Sequence, residues 1–138
     1  MTTFTLKVYA AERVFYEGPC ESVVISTTEG MYGILAHHRN MVAAIESGLM
    51  EYRLPGEKTS YASVSRGVLK VEDNEVLILV DTAERPEEID ENRAKREAED
   101  AKEAMLQKRS YQEYRSAEAR LGRAMGRLKA AKRRNVVN

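Results

Sequence analysis

The sequence predicts an α+β protein in two parts, an N-terminal antiparallel β-sandwich over residues 1–86 and a C-terminal two-helix antiparallel hairpin over residues 87–138. Two observations support this division. The first part holds all three prolines, six of the eight glycines and several short alternating or β-branched stretches. The second part has no proline and repeats alanine at helical spacing. We therefore place the domain boundary at Pro86.

The first part contains several stretches that are typical of β-strands. Turn-forming segments at residues 55–58 and 72–75 separate two pairs of them and predict two hairpins. The stretch at residues 76–80 is apolar at consecutive positions, so we expect a central strand covered on both faces. Residues 17–19 are expected to form a turn, and many short strands together favour a sandwich or barrel. The predicted strands cover residues 4–8, 22–26, 49–54, 60–64, 68–71 and 76–80.

Two stripes of small and apolar residues predict the helices of the second part. From Ala94 to Met105, and again from Tyr114 to Ala131, such residues recur at intervals of three and four. Ser110 is placed to cap the second helix, with Glu113 as its capping-box partner. Because alanines bury little area, we expect the hairpin to dock on another surface or to change conformation easily.

The formal charge is zero overall but is distributed unevenly. The chain has 22 basic and 22 acidic residues, yet residues 87–103 carry −4 and residues 104–138 carry +8. The zero total argues against a general nucleic-acid-binding protein. The basic surplus of the second helix is either a solvated surface or a surface that meets an acidic partner.

The sequence offers no set of residues suited to catalysis or metal binding. The adjacent His37 and His38 cannot both face one metal from a strand, and the single Cys20 excludes a disulfide framework. Residues 30–33 lack the spacing and the following lysine of a phosphate loop. No apolar stretch approaches the roughly 20 residues that span a bilayer, and no signal peptide is recognisable. We therefore expect a soluble, intracellular, non-enzymatic protein that requires no cofactor.

One group of charged residues has a spacing that suits anion binding. Asp90 and Arg93 share one face at the start of the first helix, and Arg123 and Arg127 share one face late in the second. An antiparallel hairpin makes these two places neighbours. Two interpretations remain open. Asp90 and nearby acids satisfy the arginines in an ion network, or the arginines bind the phosphates of a nucleotide.

Five segments in this order resemble the epsilon subunit family of bacterial and chloroplast-type F-type ATP synthases. They are EGMYGILAHH at residues 29–38, VSRGVLKV at 64–71, DTAER at 81–85, the Ile-Asp and Arg-Ala pairs within 89–94, and the pattern around Arg-Ala-Met at 117–128. Together they cover almost the whole chain.

The resemblance implies a regulatory rotor subunit of a proton- or sodium-translocating ATP synthase. The sandwich would bind the gamma subunit and lie on the c-ring, at the cytoplasmic side of the cell membrane and peripheral to it. The hairpin would fold down, or extend along gamma into the alpha/beta catalytic head and inhibit ATP hydrolysis. The alternative is a free-standing ATP-sensing protein, which would purify alone rather than with gamma.

The resemblance also implies functional residues. Some bacterial members bind a regulatory ATP in the folded hairpin, and the matching positions here are Glu84, Ile89, Asp90, Arg93, Ala94, Arg123 and Arg127. The candidate c-ring contacts are Met31, which stands where relatives carry an acid, and His38.

The charge of the second helix adds a further set of candidates, the contacts that would inhibit the catalytic head. These are Arg109, Arg115, Arg120, Arg133 and Arg134. In the first helix, the acids within residues 97–100 replace a basic residue of relatives and are expected to repel phosphates.

Overall fold

A computed structural model describes residues 2–107 and 110–133 as ten strands, a 3₁₀ turn and two helices. The strands are β1 Phe4–Ala10, β2 Arg13–Cys20, β3 Ser22–Thr27, β4 Gly30–Leu35, β5 Met41–Ile45, β6 Gly48–Arg53, β7 Thr59–Val64, β8 Gly67–Glu72, β9 Glu75–Val80 and β10 Ala83–Glu84. The 3₁₀ turn is Pro86–Glu88, and the helices are α1 Glu91–Gln107 and α2 Tyr111–Arg133.

The strands form two layers that meet at one corner. One layer has the order β4-β3-β6-β7-β10, and the other has the order β5-β8-β9-β1-β2. The layers join where Thr27 of β3 pairs with Ile45 of β5. Neighbouring strands are antiparallel except β1 and β9, which run parallel. The predicted β-sandwich is therefore confirmed, with one parallel pair that the sequence pattern did not indicate.

The main core lies between the two layers. Strands such as β1 turn alternate residues inward, so Phe4, Leu6 and Val8 are buried while Thr5 is exposed. Each large side chain buried in this way contributes about 1.5–3 kcal/mol. The largest fully buried side chains include Leu6, Ile25, Ile34, Met50, Leu69 and Ile78.

Four strands lie in segments where the sequence predicts none: β2, β4, β5 and β10. Residues 17–19, which we expected to form a turn, belong to β2 instead. Among the described strands β2 pairs only with β1, and such an edge strand tolerates Pro19 because the missing N–H faces no neighbour. Cys20 ends this strand fully buried, and burial raises the pKa of its thiol.

The prediction for β9 is only half correct. Val76, Ile78 and Val80 are buried, and the strand is central in the hydrogen-bond ladder. Leu79, however, is 43% exposed, because this layer is uncovered on its outer face. The hairpins predicted around residues 55–58 and 72–75 are confirmed. In the second, Asp73 and Asn74 both adopt positive φ, as a tight two-residue hairpin turn requires.

The two helices form an antiparallel hairpin whose seam consists of alanines. Ala94, Ala98 and Ala101 of α1 are buried, as are Ala117 and Ala124 of α2. The predicted cap of the second helix is confirmed, because the Ser110 hydroxyl accepts the N–H of Glu113 at 3.0 Å. None of the helices in residues 2–107 and 110–133 is long and apolar enough to cross a membrane.

The hairpin is folded down onto the sandwich through α2, which lies on β6 and β7. Ala130 and Ala131 pack with Ile89 and the half-buried Leu49 in a second, small cluster. Nearby, Gly126 approaches Gly48 so closely that a Cβ atom on Gly126 would lie 2.9 Å from the Gly48 Cα. The expectation that this alanine-rich hairpin docks on another surface is confirmed.

Candidate functional site

Arg127 of α2 connects three elements through its guanidinium. Its Nε donates to Glu84 Oε1 of β10 at 2.7 Å, and its Nη1 donates to Glu97 Oε2 of α1 at 3.0 Å. All three side chains are half-buried, so these charge-assisted bonds are screened less than surface pairs. This network ties the hairpin to itself and to the sandwich.

Arg93 joins the same network from the first turn of α1. Its Nε donates to Glu97 Oε1 at 3.1 Å, one helical turn along the same face. Asp90 acts differently: its side chain accepts the Arg93 backbone N–H at 3.1 Å and so caps the helix. The acids that pair with the arginines are therefore Glu84 and Glu97, whereas Asp90 is occupied as a helix cap.

Arg123 makes no ion pair with any residue in the described ranges. It lines a cleft of about 310 Å³ together with Glu97, Asp100, Arg120 and Arg127. It also borders a larger cleft of about 670 Å³ between α2 and the sandwich. Of the three arginines predicted to bind phosphate, Arg123 is thus the one whose charge is not already paired within the described part.

The two apolar positions of the candidate nucleotide site have packing roles here. Ile89 is buried against Ala130 and Ala131, and Ala94 is fully buried among the helix-seam residues. Both positions hold the hairpin closed beside the charged network.

The sequence motifs did not identify Glu97 as a partner of the arginines. Its acid stretch suggested only repulsion of phosphates, whereas the structure places its carboxylate between Arg93 and Arg127. The available signal was the four-residue spacing from Arg93, which is favourable for a helical ion pair. Arg120, which also lines the cleft, was likewise not assigned to this site.

The three candidate inhibitory arginines that the structure describes lie in different surroundings in the folded state. Arg115 pairs with Glu118 at 2.9 Å on an exposed face, and Arg120 lies in the cleft described above. Arg133 stacks over the Tyr61 ring of β7, 4.9 Å from its centroid. Arg109 and Arg134 lie outside the described residues.

The two candidate c-ring residues lie at opposite ends of β4. Met31 is the second residue of this strand and is 62% exposed, with its sulfur 2.9 Å from the Ser26 hydroxyl. His38 follows the far end, half-buried, with Nδ1 2.9 Å from the Arg39 carbonyl oxygen. Because a six-residue strand is about 17 Å long, the two side chains do not share one patch.

The linker between the sandwich and the hairpin is clamped by Glu88. Its carboxylate accepts two hydrogen bonds from Arg13 of β2, both at 2.8 Å, and a third from the Arg85 backbone N–H at 2.7 Å. The Arg13 guanidinium and then the backbone N–H lower the pKa of Glu88 from 4.5 to about 2. Arg85 also lies over Phe15, 4.3 Å from the ring centroid.

No group of three or more histidine, cysteine, aspartate or glutamate side chains within residues 2–107 and 110–133 is arranged to hold a metal ion. The charged side chains of the site described above are arginines and carboxylates. Their chemistry suits anion binding or ion pairing.

Two family models match the chain in succession. The model for the β-sandwich domain of the ATP synthase delta/epsilon chain matches residues 3–86. The model for the long α-helix domain of the same chain matches residues 87–132.

Curated relatives match over nearly the full length. The ATP synthase epsilon chain of Ruminiclostridium cellulolyticum is 41% identical over 134 residues, which are 97% of this chain and 99% of that protein. The ATP synthase epsilon chain of Caldanaerobacter subterraneus is 42% identical over 130 residues, 94% of each chain.

Solved structures of similar fold come from mitochondrial ATP synthases. A chain in the Euglena gracilis complex, whose structure includes the c-ring, superposes with a TM-score of 0.81 at 25% identity and covers 96% of this chain and 82% of that one. A chain in the Tetrahymena thermophila central stalk and c-ring structure superposes with a TM-score of 0.64 at 14% identity, covering 92% and 95%. This second likeness concerns the fold alone.

Proposed function

The chain belongs to the delta/epsilon family of ATP synthase subunits, and from this premise we propose that it is a non-catalytic rotor subunit. In this proposal the sandwich couples the gamma subunit to the c-ring, and the hairpin restrains ATP hydrolysis. The protein then lies at the cytoplasmic side of the cell membrane, held there by the complex. It requires no cofactor, and the cluster around Arg93, Arg123 and Arg127 is the candidate place for a regulatory ATP, where the Glu97 carboxylate competes for the same arginines.

The observation that carries the proposal is how lightly the hairpin is attached. Its seam consists largely of alanines, and the apolar contact of α2 with the sandwich is made by small residues, Gly126, Ala130 and Ala131, beside the polar contact of Arg127 with Glu84. These side chains bury little apolar area, so separating the surfaces costs much less than opening the sandwich core. A part of the chain that detaches while the rest stays folded is suited to a regulatory role.

The outer face of the layer β5-β8-β9-β1-β2 is evidence that a protein partner binds the sandwich. Ala44, Val68, Leu79 and Tyr9 are directly opposite one another on β5, β8, β9 and β1, and we call them the outer apolar row. Val42, two residues from Ala44 on the same face, is 70% exposed. Contiguous apolar residues on a sheet face mark an interaction surface. We propose that gamma covers this row.

The turn between β3 and β4 is the proposed place of a second contact, with the c-ring. Met31 is exposed beside it, at the opposite end of β4 from His38. We propose that Met31 faces the c-ring through an apolar contact, at a position where the resemblance described above implies an acid. His38 remains a separate predicted contact.

Removal of the hairpin tests the proposed function. ATP hydrolysis would be measured in the assembled complex with the full chain and with a chain ending at residue 86. We expect the shortened chain to assemble and hydrolysis to be faster, since the inhibitory element is missing. An unchanged rate in a fully assembled complex would exclude the hairpin as an inhibitor.

Co-purification separates the proposal from the alternative of a free-standing ATP sensor. A rotor subunit is isolated with gamma and with the subunits of the catalytic head. A sensor is isolated alone. The outer apolar row favours the first outcome, because a free-standing protein would leave it in contact with water.

A further inference from the structure

The carboxylate of Glu97 makes the contacts that a phosphate group would make in a nucleotide site. One oxygen accepts from Arg93 Nε at 3.1 Å, and the other accepts from Arg127 Nη1 at 3.0 Å. One anionic group of α1 thereby holds an arginine of its own helix and an arginine of α2. Arginine binds carboxylate and phosphate oxygens with the same fork geometry, so the two anions compete for the same donors.

The cleft beside these residues is already charge-balanced. The cleft and its immediate neighbours hold four arginines (Arg93, Arg120, Arg123 and Arg127) and four carboxylates (Glu84, Asp90, Glu97 and Asp100). The formal charge is therefore zero without any ligand. A site built to bind a polyphosphate has a surplus of positive charge, and this cleft has none.

Arg127 already donates to two carboxylates of the chain. Its Nε is used by Glu84 at 2.7 Å and its Nη1 by Glu97, and its side chain is only 27% exposed. A phosphate that reached this guanidinium would compete with both carboxylates for its charge, and displacing Glu84 would break the ion pair that this half-buried carboxylate makes with Arg127. Such a displacement is costly in a partly desolvated place.

We propose that Glu97 is a built-in counter-anion that closes the hairpin in place of a nucleotide. The folded hairpin is then the resting form of the ATP-free chain, and bound ATP is excluded by an anion of the chain itself. The inference rests on the proposed function in one respect: it states what holds the regulatory hairpin in its folded state.

Calorimetric titration of the full chain with ATP tests the exclusion. Glu97→Gln keeps the shape of the side chain but removes its charge, and we expect it to bind ATP about 10–100-fold more tightly than the wild type. Glu99→Gln is the matched control, because Glu99 is an exposed acid on the same helix. Adding Arg127→Gln to the Glu97 variant should abolish the gain. Equal affinities for wild type and Glu97→Gln, or an equal gain in Glu99→Gln, would overturn the proposal.

Hydrogen exchange of the α2 amides tests closure without relying on ATP affinity. In the absence of nucleotide we expect protected amides over residues 117–130 in the wild type and in Glu99→Gln. Glu97→Gln should exchange about tenfold faster at these amides and recover protection when ATP is added. An unprotected wild type, or a Glu97 variant as protected as the wild type, contradicts the proposal.

These measurements can refute the counter-anion without refuting the proposed function, and the reverse is also possible. Both use the isolated chain, whereas inhibition is measured in the assembled complex. A hairpin that has no effect on hydrolysis, combined with ATP binding gained only by Glu97→Gln, would refute inhibition and keep the counter-anion. The reverse combination would refute the counter-anion alone.

Discussion

Single carboxylates decide how the helical part is attached, and Glu88 and Glu97 do so in different places. Glu88 joins β2 to the 3₁₀ turn through a two-pronged contact with Arg13. Glu97 joins the helices to each other through Arg93 and Arg127. The first fixes the place from which the hairpin starts, and the second holds the hairpin closed.

The Glu88 contact makes the free energy of unfolding depend on pH in the acid range. The folded pKa of about 2 lies below the ordinary value of 4.5, so the unfolded chain binds more protons between these values. The contribution of Glu88 is therefore complete above about pH 5 and is lost as the pH falls towards about 2. Because both side chains are more than a third exposed, we expect it to be about 1 kcal/mol.

Chemical denaturation of the wild type and Glu88→Gln at several pH values measures this contribution. The difference in unfolding free energy should be largest near neutral pH and should vanish near pH ~2. Glu87→Gln is a matched control, since Glu87 is exposed in the same turn. A difference that is constant across the pH range would show that the carboxylate charge does not contribute.

At this scale the sequence predicts which arginines come together but not what they bind. The spacing of Arg123 and Arg127, and the antiparallel hairpin, are enough to place them near Arg93. An acid at a helix start can either cap the backbone or pair with a base, and its pattern is the same in both cases. Asp90 caps because it immediately precedes α1 and reaches the Arg93 N–H, whereas Glu97 lies within α1 beside Arg127 of α2.

At the scale of elements, the contact between α2 and β6 depends on glycine. A Cβ atom on Gly126 would lie 2.9 Å from Gly48 Cα and 3.1 Å from its carbonyl carbon, which are backbone atoms that cannot turn aside. At Gly122 the nearest atom, Ser47 Cβ, is 3.9 Å away, which is ordinary contact. The docking of α2 therefore requires a glycine at position 126 but not at position 122.

Gly126→Ala should weaken the docking of the hairpin by about 1–3 kcal/mol, since overpacking exceeds the gain in helix propensity. Gly122→Ala is the matched control and should stabilise α2 by up to about 1 kcal/mol. Amide exchange in α2 measures both effects. In the complex, Gly126→Ala should also inhibit hydrolysis more strongly. Equal stabilisation by both substitutions would contradict the close contact.

The outer apolar row makes a second prediction about an element. Leu79→Asp places a charge at the centre of the row and should lower the affinity for gamma by about tenfold or more. Leu106→Asp is the control, because Leu106 is even more exposed but lies at the end of α1. A pull-down with gamma compares them. Equal binding by both variants would place gamma elsewhere.

The type of an element could be predicted where its side chains alternate or repeat, and the prediction failed where they do not. The helices follow from the alanine stripes, which repeat over several turns. β2 contains Gly18 and Pro19 and reads as a turn, yet pairing with β1 keeps it extended. β4 contains Gly30 and Gly33 and is held by pairing with β3 along its whole length. Non-local pairing of this kind leaves no local pattern.

The whole molecule consists of a part with its own core and a part without one. The large buried side chains lie in the sandwich, while the helical part buries mainly alanines within the described residues. We therefore predict that a fragment of residues 1–85 folds alone. Thermal or denaturant unfolding should show one cooperative transition. Its absence would show that the hairpin completes the core.

The proposed inhibitory contacts of the basic residues of α2 belong to the same scale, because they would form only when the hairpin leaves the sandwich. Moving a two-state equilibrium from 1:99 to 99:1 requires about 5.5 kcal/mol, and exposed ion pairs supply at most about 1 kcal/mol each. The proposed inhibition therefore requires that some contacts with the catalytic head be desolvated. Extension also breaks the contact between Arg133 and Tyr61, which opposes it.

Neutralising the basic helix should release ATP hydrolysis in the assembled complex and leave assembly intact. The variant replaces Arg115, Arg120, Arg133 and Arg134 by Gln. A control replaces the exposed Arg96 and Lys102 of α1 and should leave hydrolysis inhibited. If the variant of α2 remains as inhibited as the wild type, the basic charge is only a solvated surface.

The clamp at Glu88 has a mechanical consequence. Because Arg13 and Arg85 hold the linker at Glu88, a hairpin that leaves the sandwich would rotate about a point just after Glu88. Helices of 17 and 23 residues, straightened end to end at about 1.5 Å per residue, form an arm of about 60 Å. A rotation of about 10° at this point moves the tip of such an arm by about 10 Å, twice the pitch of a helical turn. A small rotation beside the sandwich would therefore produce a large displacement at the far end of the extended helices.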